Sequence, residues 1–200
     1  MFQYEFMRVK EFDLEEVTES AMDVFWRKGF AATSIQDLVE ETGLSRSSLY
    51  STFRNKEELY QKALHHYHQI KTQANIELLS SSGSVKDLIS QLLFQIIEDE
   101  LIDSQHRGCL IANASLELAG QDEKISKTII YNFERLKKAL EKLIVRGQES
   151  GEISTHHSPL ALALFFVNTI QGIRVLSKGC SEETRQEYLT NVAKVALNTL

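Results

Sequence analysis

Apolar side chains recur three and four positions apart along almost the whole of this 200-residue chain. That spacing places them on one face of an α-helix, and no stretch alternates apolar and polar residues as a half-buried strand does. The pattern predicts an all-α fold with nine helices, over residues 13–29, 35–42, 45–53, 55–79, 85–101, 107–118, 122–150, 159–178 and 182–200. A single proline and nine glycines favour long, uninterrupted helices.

Two short helical patterns lie on either side of Gly43. Gly43 can end the first helix in a left-handed conformation, and Ser45 can cap the start of the second. Leu49 and Phe53, four positions apart, face inward in the second helix. Its outer positions are polar: Arg46, Ser47, Ser48, Tyr50 and Ser51. This arrangement predicts a helix-turn-helix whose second helix enters the major groove of DNA.

The segment around this motif resembles the TetR family of bacterial transcriptional repressors in one ungapped register. The resemblance rests on Phe-Trp-Arg-Lys-Gly-Phe at 25–30, Thr-Ser at 33–34, Asp-Leu at 37–38, Thr-Gly-Leu-Ser at 42–45, Ser-Leu-Tyr at 48–50, Phe53 and Lys-Glu-Glu-Leu at 56–59. It covers the first third of the chain in detail, and the remainder only in length and helical character. It implies an N-terminal three-helix DNA-binding domain (residues 1–55) and a C-terminal ligand-binding and dimerisation bundle (residues 56–200). Many relatives have glycine where this chain has Ser47, so the base preference does not transfer.

The candidate DNA contacts are Thr33, Ser34, Ser45, Arg46, Ser47, Ser48, Tyr50, Ser51, Thr52 and Lys56. Thr33 and Ser34 begin a helix, where free N–H groups favour a phosphate, although ordinary N-capping explains them as well. Arg46 fits either guanine or phosphate. The resemblance implies a phosphate contact for the Tyr50 hydroxyl; the alternative is a partly buried aromatic. Lys56 suits a phosphate through its N–H and ammonium, or is simply solvated.

The net charge of −6 at first argues against a DNA-binding protein. The segment from Gly43 to Lys56, however, contains three cations and no acid. Phosphate binding requires a local positive face rather than a basic protein. The acidic remainder argues against a wide basic groove for RNA or single strands.

Other classes of protein find little support in the sequence. Cys109 and Cys180 do not make a disulfide framework, and no secretory signal is evident, so a cytoplasmic location is expected. Met7 is a possible natural start instead of Met1. We expect no stretch to approach the roughly 20 apolar residues of a membrane span. No catalytic motif or phosphate loop is recognisable.

The segment 159–176 is apolar nearly all round, so it should be covered on more than one side. Together with the last helix it is expected to form the interface of a homodimer. The alternative is the central helix of a monomeric bundle.

A pocket for a small lipophilic effector is expected around Leu92, Cys109, Asn113, Phe133, Phe166, Asn168 and Gln171. Each polar member has an equally simple interpretation as a satisfied core group. Cys109 follows Arg107 near a helix start, which suggests a sensor of oxidants or electrophiles, whereas a small buried cysteine is the commoner case. His65, His66 and His68 lack the i, i+4 spacing of helical metal ligands, so ordinary histidines are expected and no metal or other cofactor.

These observations predict a homodimeric repressor that binds a palindromic operator in double-stranded DNA and is released by a lipophilic or electrophilic small molecule. The first alternative is a helical ligand-binding or adaptor protein whose DNA-binding head is inactive. A small helical enzyme is the second.

Overall fold

The computed structural model describes residues 12–200, so the choice between Met1 and Met7 lies outside the described residues. Its helices are α1 (Leu14–Lys28), α2 (Ile35–Thr42), α3 (Arg46–Phe53), α4 (Lys56–Tyr67), α5 (Gln73–Ser80), α6 (Val85–Ile102), α7 (Leu110–Leu118), α8 (Glu123–Glu149), α9 (Pro159–Gly179) and α10 (Glu182–Leu197). A π-helical turn, His68–Thr72, joins α4 to α5 without a break. We refer to α4, the π-helical turn and α5 together as the α4–α5 rod. When this rod is counted as one helix, residues 12–200 form nine helices and no strand, which confirms the predicted all-α fold.

Helix boundaries follow the polar residues that cap them. Asp13 accepts a hydrogen bond from the Glu15 backbone N–H at 2.8 Å, which begins α1, and Asn55 accepts one from the Glu58 N–H at 2.8 Å, which begins α4. Gly43 ends α2 with a φ of 67°, a left-handed conformation that costs little only in glycine. These interactions span two to four residues, so the sequence pattern located them.

The π-helical turn was not predicted from the sequence. Its extra residue turns His68 and Thr72 inward, and both are buried. The Asn132 amide nitrogen lies 2.7 Å from His68 Nδ1 and 3.1 Å from the Thr72 hydroxyl. Such turns occur where a side chain must be re-aimed within a helix. This one fastens the α4–α5 rod to α8.

Two hydrophobic clusters make up the core. The proximal cluster comprises Val17, Ala21, Met22, Val24, Phe25, Leu38, Leu44, Leu49, Phe53, Leu59, Tyr60, Ala63, Leu64, Tyr67, Cys109, Leu110, Ile111, Ala114, Leu118, Ile125 and Ile129. The distal cluster comprises Leu79, Val85, Leu88, Ile89, Leu92, Leu93, Ile96, Ile97, Leu136, Leu140, Leu143, Ile144, Ile153, Leu162, Ala163, Phe166, Ile170, Ile173, Leu189, Ala193, Ala196 and Leu200. The first three helices therefore share one core with α4, α7 and the start of α8.

Helix α9 differs from expectation in one respect, because its length and hydropathy are sufficient to cross a membrane. In the fold its buried side chains, including Phe166, Ile170 and Ile173, pack in the distal cluster. The core helix of a soluble protein passes the same length and hydropathy test, so this property carries little weight by itself.

Candidate functional site

The first turn of α3 presents three hydroxyl groups and one cation. The Ser45 hydroxyl accepts a hydrogen bond from the Ser48 N–H at 3.1 Å, and it lies 2.9 Å from the hydroxyls of both Ser47 and Ser48. The Arg46 side chain is exposed and forms no hydrogen bond or ion pair with any residue of the described range 12–200. Because Leu49 and Phe53 anchor the inner face of the helix, this polar turn is held rigidly toward solvent.

The later outer positions of α3 are less free. Tyr50 is 39% exposed, so its hydroxyl can reach a ligand outside the protein. Ser51 and Thr52 donate their hydroxyl hydrogens to the Ser48 carbonyl, at 2.9 and 2.8 Å. Both hydroxyls must therefore rotate before they can donate to a phosphate.

Two of the expected phosphate contacts have side chains that point inward, and here the structure corrects the expectation. Thr33 is 1% exposed, and its hydroxyl donates to the Gly29 carbonyl at 2.6 Å. The Lys56 ammonium donates to the Phe30 and Thr33 carbonyls, at 2.7 and 2.8 Å, and lies 4.3 Å from the centre of the Phe30 ring. The reason is that the Gly29 and Thr33 carbonyls, in the turn between α1 and α2, have no backbone donor among the described residues, and these two side chains satisfy them. Only the backbone N–H of Lys56 remains suited to a phosphate.

Ser34 and Asp37 form a reciprocal capping box at the start of α2. The Ser34 hydroxyl accepts from the Asp37 N–H at 3.1 Å, while the carboxylate accepts from the Ser34 N–H at 2.8 Å. The Lys28 ammonium lies 2.6 Å from that carboxylate. Hydrogen bonds from Lys28 and then from Ser34 lower the pKa of Asp37 to about 2. The carboxylate is consequently ionised at neutral pH, and it already accepts the Ser34 N–H at this helix end.

A set of long-range bonds connects the predicted DNA-binding head, helices α1 to α3, to the rest of the chain, and sequence reasoning missed it. The Glu117 carboxylate accepts hydrogen bonds from the backbone N–H groups of Phe30 and Ala31, at 2.8 and 2.5 Å. The Trp26 indole N–H donates to the Gly108 carbonyl at 2.9 Å. The partners are 82 to 87 residues apart in sequence, so no local pattern reveals them. The one available signal was that Glu117 is the only charged residue in α7.

Arg107 adds a second connection between these two regions. Its guanidinium contacts the Asp23 carboxylate at 3.0 Å and the Asp103 carboxylate at 3.1 Å, and it lies 4.2 Å from the centre of the Trp26 ring. The positive charge of Arg107 was expected to act on Cys109, but two carboxylates and an aromatic ring contact the guanidinium instead. We refer to the contacts of Glu117, Trp26 and Arg107 as the junction.

The predicted effector residues do not line a common cavity, and this is a further correction. Leu92 and Phe166 belong to the distal cluster, whereas Cys109 belongs to the proximal one, with Phe133 packed against it. Asn168 is exposed. The other two polar members are Asn113, which bonds to the Arg107 carbonyl and the Lys178 ammonium, and Gln171, whose side-chain oxygen is buried without a partner among residues 12–200. The order of helices along the chain did not reveal which of their faces meet.

Two cavities lie elsewhere. The first, of about 470 Å³, opens beside the junction and is lined in part by Asp23, Trp26, Tyr67, Glu100, Arg107 and Arg174. The second, of about 870 Å³, lies between α4 and α8 and is lined in part by Lys62, His65, His68, Lys127, Tyr131 and Arg135. Both fall within the usual size range of small-molecule sites, roughly 300–1,000 Å³.

The histidines border the second cavity. His68 Nε2 lies 2.8 Å from the Arg135 guanidinium, which marks that nitrogen as a hydrogen-bond acceptor. Burial, and then the charges of Arg135 and His65, lower the pKa of His68, so its ring is neutral at neutral pH. Within residues 12–200, no three His, Cys, Asp or Glu side chains are grouped to hold a metal ion.

An apolar surface remains on α9 and α10. Its members are Leu160, Leu164, Phe165, Val175 and Leu176 on α9, and Tyr188, Val192 and Val195 on α10. Gly172 lies on the same helix, and a Cβ added there would meet nothing within 4 Å, which leaves room for a closely packed partner helix. Exposed apolar patches of this kind mark interaction surfaces.

Comparison with known protein families gives two matches. The family described as bacterial regulatory proteins, tetR family, matches residues 17–63, and the tetracyclin repressor-like C-terminal domain matches residues 89–192. The HTH-type transcriptional regulator YezE of Bacillus subtilis is 30% identical over 80% of this chain and 83% of its own length. The HTH-type transcriptional repressor ComR of Escherichia coli is 28% identical over 95% of this chain and 90% of its own.

Solved structures agree. A cysteine mutant of the TetR family transcriptional regulator CifR, complexed with 26-bp double-strand operator DNA, is 25% identical with a TM-score of 0.81, covering 96% of this chain and 98% of that one. The reduced form of E. coli NemR shares the fold, with a TM-score of 0.82 at 20% identity over 92% of this chain and 94% of its own.

Proposed function

This chain belongs to the tetR family of bacterial regulatory proteins, and from that premise we propose that it represses transcription as a ligand-responsive homodimer on a palindromic operator. It is a DNA-binding transcriptional regulator and not an enzyme. The observation that carries the proposal is the first turn of α3, where Arg46 is exposed and unpaired with any described residue beside the hydroxyls of Ser45, Ser47 and Ser48. A cytoplasmic location is part of the proposal.

The proposed DNA contacts divide into two kinds. Arg46, Ser47 and Ser48 approach base edges from the first turn of the reading helix. Ser34, Ser45, Tyr50, Ser51, Thr52 and the Lys56 N–H approach phosphates. Thr33 supports the head from inside and does not contact DNA. Whether Arg46 reads guanine or grips phosphate stays a prediction for experiment.

The apolar surface of α9 and α10 is the proposed dimer interface. A two-fold pair of heads should present its reading helices about 34 Å apart, or a multiple of that distance, to match successive turns of one DNA face. An effector that prefers the DNA-incompetent arrangement would change this separation. Coupling of about 1–3 kcal/mol is sufficient for the 5- to 150-fold changes in affinity that are usual for such regulators.

Arg46→Ala tests the DNA-binding role. We expect at least a tenfold loss of operator affinity, measured by fluorescence anisotropy on fragments first selected from random DNA by the purified protein. Lys142→Ala is the matched control, because it removes one exposed cation far from the head. If Arg46 reads guanine, the variant also discriminates less between operator variants; if it grips phosphate, the loss is uniform. A wild-type protein that shows no salt-dependent operator binding would be the adaptor and would refute the proposal.

The effector is proposed to be lipophilic or electrophilic, and Cys109 is the candidate electrophile sensor. Cys109 is only 4% exposed, so a reagent reaches the sulfur only if the proximal cluster opens. Wild type and Cys109→Ser, each treated with quinone or hypochlorite, should differ in release from the operator. Equal release by the two proteins would remove Cys109 from the mechanism and leave reversible binding in a cavity.

A further inference from the structure

The cavity beside the junction lies between the head and the distal helices, which are the two regions that an effector signal must connect. Its walls come from α1, the α4–α5 rod, α6, α9 and the segment between α6 and α7. Trp26 and Arg107, which hold the head to that segment, both line it. A molecule bound here would touch the head and the distal helices at once.

Most of the charged groups around this cavity already have partners. The ion pairs are Lys71 with Asp99 at 3.2 Å, Arg107 with Asp23 at 3.0 Å and Arg107 with Asp103 at 3.1 Å. Five of the seven charged side chains in the lining are thereby accounted for. The remaining two are Glu100 and Arg174.

Glu100 is buried, and one of its two carboxyl oxygens has no partner among residues 12–200. It is 5% exposed, and its Oε2 atom is buried and accepts no hydrogen bond from residues 12–200. Burial raises the pKa of the carboxyl group above its ordinary value. Leaving a buried carboxyl oxygen unpaired costs stability unless another group supplies the missing hydrogen bond.

Arg174 is the complementary group. Its guanidinium forms no hydrogen bond or ion pair with the described part of the chain, although the charges of Glu100 and Arg174 are close enough to act on each other. Within the cavity, the Arg174 guanidinium therefore lacks a hydrogen-bond acceptor, and Oε2 of Glu100 lacks a hydrogen-bond donor. A guanidinium binds a carboxylate through two parallel hydrogen bonds, which is the strongest partner available to it.

We propose that this cavity binds a small carboxylic acid that carries a hydrogen-bond donor next to its carboxylate, such as a 2-hydroxy acid or an amino acid. The carboxylate pairs with Arg174, and the hydroxyl or ammonium group donates to Oε2 of Glu100. The aromatic side chains of Trp26 and Tyr67 provide apolar surface for the rest of the molecule. We take this cavity to be the effector site of the proposed repressor. The inference therefore rests on the proposed repressor function, and it gives the effector a chemical class.

Binding would act on the junction directly. A ligand carboxylate paired with Arg174 brings a negative charge into the space that the Arg107 guanidinium also lines, and it thereby weakens the attraction of that guanidinium to Asp23 and Asp103. Loss of the contact between Arg107 and Asp23 would free α1 from the segment before α7. We expect the head to lose its operator-binding position in consequence.

A matched set of four compounds tests the site by calorimetry on the full chain without DNA. The set is 3-phenyllactate, phenylalanine, 3-phenylpropionate, which lacks the donor, and 3-phenylpropanol, which lacks the carboxylate. We expect 3-phenyllactate or phenylalanine to bind at least tenfold more tightly than 3-phenylpropionate, and the alcohol not to bind. Equal affinities across the set, or no binding, would overturn the inference.

Two variants assign the contacts. Glu100→Gln should reduce the tenfold advantage of the donor-bearing acids, and Arg174→Lys should weaken all acids because lysine lacks the planar fork. Unliganded Glu100→Gln should be as stable as wild type or more so, since the substitution removes a buried carboxyl group that lacks one hydrogen-bond partner. A large drop in Tm would instead make Glu100 a structural residue and count against the site. If the unliganded protein binds no operator, the proposed repressor function is contradicted. Calorimetry with the four compounds still determines whether the cavity binds a carboxylic acid.

Discussion

The proximal and distal clusters are assembled from the chain in different ways. The distal cluster draws its residues only from the chain after the first four helices, in two stretches, one from Leu79 to Ile97 and one from Leu136 to Leu200. The proximal cluster joins two separate stretches, one from Val17 to Tyr67 and one from Cys109 to Ile129. The DNA-binding head is therefore completed by α7 and the start of α8. A change at α7 reaches the head through shared packing, without a separate relay.

The largest difference should come from paired core deletions. Leu110 of α7 and Leu93 of α6 are both fully buried, in the proximal and distal clusters respectively. Leu110→Ala and Leu93→Ala should each reduce the free energy of unfolding by about 2–5 kcal/mol. Only Leu110→Ala should also weaken operator binding by the folded protein. Urea denaturation and anisotropy on the same samples measure the two effects, and equal operator affinities would mean that α7 does not support the head.

The junction offers a smaller and more local test. Glu117→Ala leaves the N–H groups of Phe30 and Ala31 without their acceptor, which should cost about 1–3 kcal/mol. Hydrogen exchange at these two amides should accelerate, and operator affinity should fall.

Glu152 supplies a matched control for that experiment in the distal half. Its carboxylate accepts from the Ser84 hydroxyl and from the Val85 and Lys86 N–H groups, at 2.6 to 3.0 Å. Glu152→Ala should destabilise the start of α6 and leave operator affinity unchanged. If the two variants bind operator equally well, the junction does not position the head.

The contrast between local and long-range bonds also explains what the sequence could predict. Ser34 with Asp37, Ser45 with Ser48 and Asn55 with Glu58 are pairs three residues apart, so helical periodicity and capping located α2, α3 and α4. The all-α fold followed from the same reasoning. The effector cavity could not be predicted in this way, because its lining depends on which faces of α1, α6 and α9 pack together. The pattern within a single helix does not specify how it packs against other helices.

Lys56 separates an internal role from a DNA-binding one. Lys56→Met retains the apolar stem and removes two hydrogen bonds to the α1–α2 turn, so stability should fall by about 1 kcal/mol. The slope of log affinity against log salt should stay unchanged, since the ammonium is engaged inside the head. A slope reduced by about one unit would instead show that the ammonium leaves the turn and contacts a phosphate.

Acid titration should give the smallest difference. Both Asp37 in the head and Glu152 in the distal half have pKa values of about 2, owing first to hydrogen bonds from Lys28 and from Ser84 respectively. A depressed carboxyl pKa contributes stability that is complete above the unfolded-state pKa, roughly 4, and disappears as the pH falls through about 2. Asp37→Asn and Glu152→Gln should therefore each be less stable than wild type at pH 6, with the gap closing between pH values of about 5 and 2. Denaturation at a series of pH values measures that gap. The Asp37 capping box belongs to the head and the Glu152 cap does not. Only Asp37→Asn should therefore also alter operator affinity at pH 6. An equal change in operator affinity in both variants would contradict a separate role for the two halves.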